Sequence, residues 1–376
     1  MRRIICGAVL AAAFSSAAVA AEQLPSPAKF LFWTPAEQAV GYRSIEKIFP
    51  VSTVRRGASV RDLPASGTPF DVSYELQSQK WNTDAFMKAN NVSGLLVVKD
   101  GKIVLERYGL GRAPQDRWTS FSVAKSVTST LVGAAIRDGS ISSLDAEVTT
   151  YIPELKGSAY DGVKVRDLIT MRSGVKWDEN YADPKSDVNR LIGQPFVPFM
   201  KQLPRAHQPG TVFNYNSGET NLVGVLVMQA THKSLADYLS EKIWSHMGAE
   251  QDALWIKGQD GNEAGGCCIS MSLRDYARFA LFFMEGGKGV LPDGWVQQAS
   301  SKQTPSDFGG LGYGYLWWTH DDGTYEAIGV FGQSVFISPK ENLVIVTNSA
   351  WPEADAIPRY IVHDAYVAAV RKALAK

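Results

Sequence analysis

Residues 118–139 read WTSFSVAKSVTSTLVGAAIRDG, and the rest of the chain is read outward from them. Val123, Val127, Leu131, Ala134 and Ala135 recur at close to a 3.6-residue period, which predicts a largely buried helix. Ser122 stands at its start. Lys125 lies three positions on, so both side chains share one helical face. A lysine on the buried side of a helix is costly without a partner or a task. Two readings fit the pair: a capping serine beside a snorkelling lysine, or a nucleophile with an amine able to take its proton.

The S-x-x-K spacing occurs four times, at Ser26, Ser44, Ser122 and Ser173. The first copy holds Pro27, the second runs into Ile48-Phe49-Pro50, and the copy at Ser173 holds Gly174 in a turn-like MRSGVKW. Only Ser122 heads a long apolar helix, which favours the nucleophile reading there.

The chain has 376 residues, 38 Lys and Arg against 38 Asp and Glu, and no internal apolar run long enough to span a bilayer. That balance gives no support for nucleic acid or an anionic membrane surface as partner. Residues 1–20 carry the marks of a secretory signal: Arg2-Arg3, an apolar run from Ile4 to Ala13, and the small-residue pattern Ala18-Val19-Ala20. The expectation is a secreted or periplasmic protein whose mature part, residues 21–376, is one enzyme domain. Beyond the signal, Cys267 and Cys268 are adjacent. A ring between neighbours is strained, so they are expected as small packing residues. Five His at no metal-binding spacing predict neither metal nor cofactor. The absence of G-x-S-x-G argues against an α/β-hydrolase.

Residues 21–84 are irregular and are expected to wrap the surface of the domain that follows. Two β-rich runs about Asp100-Gly101 predict a hairpin. Helical patterns then fill the middle of the chain, about residues 122–300. After residue 312 the segments YGYLWW, YEAIGVFG, QSVFISP and NLVIVTNS are short, aromatic and β-rich. The economical fold is α+β: one antiparallel sheet drawn from residues 90–115 and 312–350, with flanking helices and an inserted helical subdomain. The cleft between the two parts is the expected site. Two other elements face it. Tyr215, in the turn FNYNSG before a helix, can present a hydroxyl, although a half-buried aromatic is the plainer reading. In AIGVFGQ, glycines on a strand mark close approach, and the N–H of Val330 or of Gln333 could receive an oxyanion.

With these residues in place, the chain resembles the serine hydrolases that share a fold with class C β-lactamases and penicillin-binding proteins. SVAK is similar to their first motif and YNS, Tyr215 to Ser217, to their second. VRDLITMRSGV and PGTVFNYNSGETNLVGVLV resemble their flanking signatures. Within that group it resembles 6-aminohexanoate-dimer hydrolases and related carboxylesterases. The resemblance implies Ser122 as nucleophile, with Lys125 and Tyr215 sharing its proton; either could be the base. It implies Tyr181 as a second site tyrosine. Ser217, Cys268, Trp317, Trp318 and Ile328 become substrate contacts. Ala327-Ile328-Gly329 falls where β-lactamases carry a cation and a hydroxyl, which makes Val330 the oxyanion donor beside the Ser122 N–H and puts β-lactam turnover in doubt. The expected function is cleavage of a small amide or ester through an acyl-enzyme. The alternatives are a D-amino-acid peptidase or weak β-lactamase, or a catalytically silent penicillin-binding-like module. Oligomeric state is not legible.

Overall fold

The computed structural model describes residues 23–375. The stretch read as an export signal lies outside them. Among the described residues no helix is long and apolar enough to cross a membrane.

The sheet expected from two distant parts of the chain forms, with eight strands among the described residues. Its order is Lys102–Tyr108, Val92–Lys99, Leu343–Ser349, Gln333–Ser338, Tyr325–Gly329, Trp318–Thr319, Gly312–Tyr313 and Thr304–Pro305. Every neighbouring pair is antiparallel. Asp100 and Gly101 both adopt positive φ, 52° and 74°, as a tight two-residue hairpin turn requires. Leu343–Ser349 is buried along its whole length and Val92–Lys99 at all but its last residue. Residues 95–98 and 343–346 of these strands are apolar at every position because both faces of the sheet are covered. One face packs on the helix Leu273–Met284, capped by Ser272 accepting from the Asp275 N–H at 3.1 Å. Against the other, Tyr366 of the helix Ile357–Leu374 stacks on Phe86 with centroids 4.0 Å apart.

Two features depart from expectation. A second sheet of four strands joins Val51–Val54, Ala253–Ile256, Ile269–Met271 and Trp118–Thr119. Its last strand leads straight into Ser122. The N-terminal segment is also more than a surface wrap. It forms a helix, Pro35–Gly41, with a Thr34/Glu37 capping box, and buries Phe30, Trp33 and Tyr42 in a core shared with Phe121 and Phe331. Period-based reading misses such a segment, because its large rings follow no regular spacing.

Candidate active site

Ser122 occupies the N-cap position of the helix Val123–Arg137, yet its side chain makes no capping bond. Residues Val123 to Ala135 of this helix are all buried. Its polar side chains are spent on carbonyls: Ser126 on Leu316 at 2.7 Å, Thr128 on Gly265 at 2.8 Å and Ser129 on Tyr315 at 2.6 Å. They lock the helix against its surroundings while the Ser122 hydroxyl stays available at the cleft.

Lys125 is 2 % exposed. Its Nζ donates to Ser122 Oγ at 2.9 Å, to Ser217 Oγ at 2.8 Å and to the Gly266 carbonyl at 3.0 Å. An ammonium has three protons, and two of these acceptors are committed. A carbonyl can only accept. The Ser217 hydroxyl gives its own proton to Glu179, so toward Lys125 it too can only accept. The third proton is the one that can leave, and losing it turns the nitrogen lone pair onto Ser122 Oγ. Burial pushes Lys125 down to about 8, against the opposing charges of Glu179 and Asp355.

Glu179 is the hub of this arrangement. It accepts from the Trp177 indole, the Tyr181 hydroxyl, the Ser217 hydroxyl and the Ser217 N–H, the last at 2.9 Å. Tyr215 holds its ring under Lys125 Nζ, 5.0 Å from the centroid, and stacks on Trp318 at 5.5 Å. Burial pushes the Tyr215 phenol well above its ordinary 10, Glu179 adds to this, and an interaction with the Ser122 hydroxyl opposes it. Lysine and tyrosine are thus pushed apart, the first toward losing its proton and the second toward keeping it.

The cleft over Ser122 holds about 190 Å³ and is bounded by Glu179, Tyr181, Tyr215, Trp318, Ile328 and Val330, together with Asp307, Phe308, Asp355 and Tyr360. Gly329 lets its strand close on the turn before Ser122: a Cβ there would meet the Ser120 carbonyl at 2.7 Å. Among the described residues no protein group accepts from the N–H of Ser122 or of Val330. Gln333 does not face the cleft. It is fully buried, accepting from the Phe331 N–H at 3.2 Å and donating to the Ser349 carbonyl at 3.0 Å. Among the described residues no group of His, Cys, Asp and Glu is arranged to hold a metal ion.

Three expected contacts fall elsewhere. Trp317 is fully buried between Phe279, Phe283 and Tyr325. Trp317 comes just before the strand Trp318–Thr319 and packs into the core, while Trp318 borders the cleft. Cys268 is fully buried in the N-terminal aromatic core and does not border the cleft. It packs there as a small buried residue, its sulfur beside that of Cys267 across a cis peptide bond. Ser217 is absent from the cleft wall and instead orients Lys125. Sequence reading missed Glu179, Asp355 and Tyr360. Glu179 lies two residues before Tyr181, and that closeness to an expected site tyrosine was the available signal. The Asp355 carboxyl is pushed up by desolvation and by Glu179. The other serines of the repeated spacing are placed otherwise: Ser173 donates to buried Glu219, while Ser26 and Ser44 lie in the N-terminal segment.

Fold and site together define a hydrolase of the β-lactamase and penicillin-binding-protein superfamily. The family model described as Beta-lactamase matches residues 82–366, and the chain belongs to that family. A 6-aminohexanoate-dimer hydrolase of Paenarthrobacter ureafaciens is 31 % identical over 299 residues, 73 % of this chain and 74 % of its own. Among solved structures, one from Bacillus anthracis assigned as a 6-aminohexanoate-dimer hydrolase superposes with a TM-score of 0.76 at 22 % identity, covering 90 % of this chain and 94 % of its own. A penicillin-binding protein homologue from Pyrococcus abyssi gives 0.63 at 17 % identity, over 76 % and 74 %. At these identities the structures share the fold.

Proposed function

We propose that the protein is a serine hydrolase that cleaves a small linear amide or ester through an acyl-enzyme, as its similarity to 6-aminohexanoate-dimer hydrolases suggests. The observation that carries this is the proton inventory at Lys125: two of its three N–H groups are tied to acceptors that cannot donate, and the third meets Ser122 Oγ. Ser122 Oγ attacks the carbonyl carbon and its proton passes to Lys125. The Ser122 and Val330 N–H groups receive the oxyanion. Tyr215, kept protonated by burial, delivers a proton to the leaving amine or alkoxide and is reprotonated from Lys125. Tyr181 borders the leaving group. A water then adds to the acyl carbon, losing a proton to Lys125, and Ser122 leaves with that proton. Export through the signal at residues 1–20 belongs to the same proposal.

Ile328 and Trp318 offer an uncharged chain apolar contact. A β-lactam carboxylate would meet Ile328 together with Asp355 and Glu179, and an anion desolvated without a partner is costly. Purified protein assayed on p-nitrophenyl butyrate, 6-aminohexanoate dimer and nitrocefin tests this. Ser122→Ala is expected to lose about 10⁴-fold or more in kcat, with Ser26→Ala and Ser44→Ala unaffected. Near-normal turnover by Ser122→Ala removes the mechanism, and efficient nitrocefin hydrolysis by the wild type removes the substrate preference.

A further inference from the structure

The residues flanking the two proposed oxyanion donors are large buried rings. Phe121, just before Ser122, holds φ at +44°, a left-handed conformation that is unfavourable for a bulky side chain. Phe331, just after Val330, packs on it with centroids 4.9 Å apart. Neither ring borders the cleft. Strained backbone persists only where its surroundings over-determine it, and here those surroundings come from a segment that precedes the family-matched region. Phe30 stacks on Phe121 at 5.1 Å and 13°. Tyr42 meets Phe121 edge-on at 5.1 Å and reaches Phe331 at 6.2 Å. The backbone repeats the link on both sides. The Thr119 N–H donates to the Tyr42 carbonyl at 3.1 Å, on the strand that enters Ser122. Gln38 donates to the Trp351 carbonyl at 2.9 Å, and the Trp351 N–H donates to Phe331 at 3.2 Å.

We infer that residues 26–49 act as a positioning element for acyl transfer: the rings of Phe30 and Tyr42 set the separation of the Ser122 and Val330 N–H groups. The inference rests on the oxyanion reading given above. Its physical basis is that such donors work only within a narrow distance of the developing oxyanion, and close-packed rings transmit displacement rather than absorb it. The Tyr42 hydroxyl is buried and has no hydrogen-bond partner among the described residues. The ring, not the hydroxyl, therefore carries the role.

The test compares Tyr42→Leu, Tyr42→Phe and Phe30→Leu in the full chain, with thermal melting recorded for each. On p-nitrophenyl butyrate the two leucine variants are expected to lose about tenfold to a hundredfold in kcat, a fraction of the loss seen when a whole donor is removed, with KM nearly unchanged. Affinity for a trifluoromethyl ketone, which forms a tetrahedral adduct, should fall in parallel. Tyr42→Phe should keep wild-type kcat. Folded leucine variants with wild-type kcat, a loss confined to KM, or a Tyr42→Phe as impaired as Tyr42→Leu would each overturn the inference. Phe30 lies at the edge of the cluster, 8 % exposed, so Phe30→Leu decides the matter if Tyr42→Leu does not fold. Activity surviving in Ser122→Ala would instead remove the reading of the site itself.

Discussion

Lys125 shows how a single residue acquires a role from its neighbours. Of its three acceptors the Gly266 carbonyl can only accept, and Glu179 makes the same true of Ser217 by taking its proton. With Lys125 near 8, the reactive neutral amine is the minor form at pH 7. The proposed base therefore predicts that kcat/KM rises with pH through about 8. Glu179 stabilises the charged lysine, so Glu179→Gln should move that rise to lower pH. The maximal rate should fall as well, because the Ser217 hydroxyl loses its fixed direction. A pH–rate profile of both proteins checks this; an unmoved or upward-shifted rise in Glu179→Gln would contradict it.

At the scale of elements, the helices Val123–Arg137 and Ser217–Thr231 pack on each other and are buried nearly all round. The second helix carries a cost. Glu219, in its first turn, is 1 % exposed and accepts from Ser173 and Tyr160. Desolvation raises its carboxyl from 4.5 to about 8, the two hydrogen bonds opposing the shift. The folded state thus holds a proton that the unfolded chain releases near 4.5. Its contribution to stability is fully present below that pH and is lost progressively as the pH rises through about 8. Glu219→Gln cannot ionise. Its melting temperature relative to wild type should climb between about pH 4.5 and 8 and then level. A difference that is flat with pH would show that Glu219 is charged in the folded protein.

Across the whole molecule, the sheet joins residues more than two hundred positions apart: Val97 lies opposite Ile345, and Leu96 opposite Val346. Both strands are interior and covered on both faces, so neither can open alone without stripping the other of its ladder. Their amides should exchange only through global unfolding. Hydrogen exchange read by mass spectrometry should give peptides over Val92–Lys99 and Leu343–Ser349 the same slow protection. Markedly faster exchange of either would show that the two ends of the chain unfold separately.

Much of this was legible in the chain itself. Ser122 and Lys125 share a helix, so local periodicity alone puts them on one face. The hairpin about Asp100-Gly101 and the short C-terminal strands follow from turn chemistry and residue type, and with them the α+β class. Tyr215 and Ile328 were marked by motif and position, and both reach the cleft. What failed was whatever depended on which face meets what. Trp317 and Trp318 are adjacent and alike, and only the sheet decides that one lies in the core and the other over Ser122. Ser217 hydrogen-bonds Lys125 and Glu179, a placement that no motif announces because Glu179 arrives from another segment. Phe30 and Tyr42 carry no motif at all. Their place behind Ser122 exists only once the N-terminal segment has folded onto Phe121 and Phe331, since packing between rings distant in sequence leaves no period in the sequence to read.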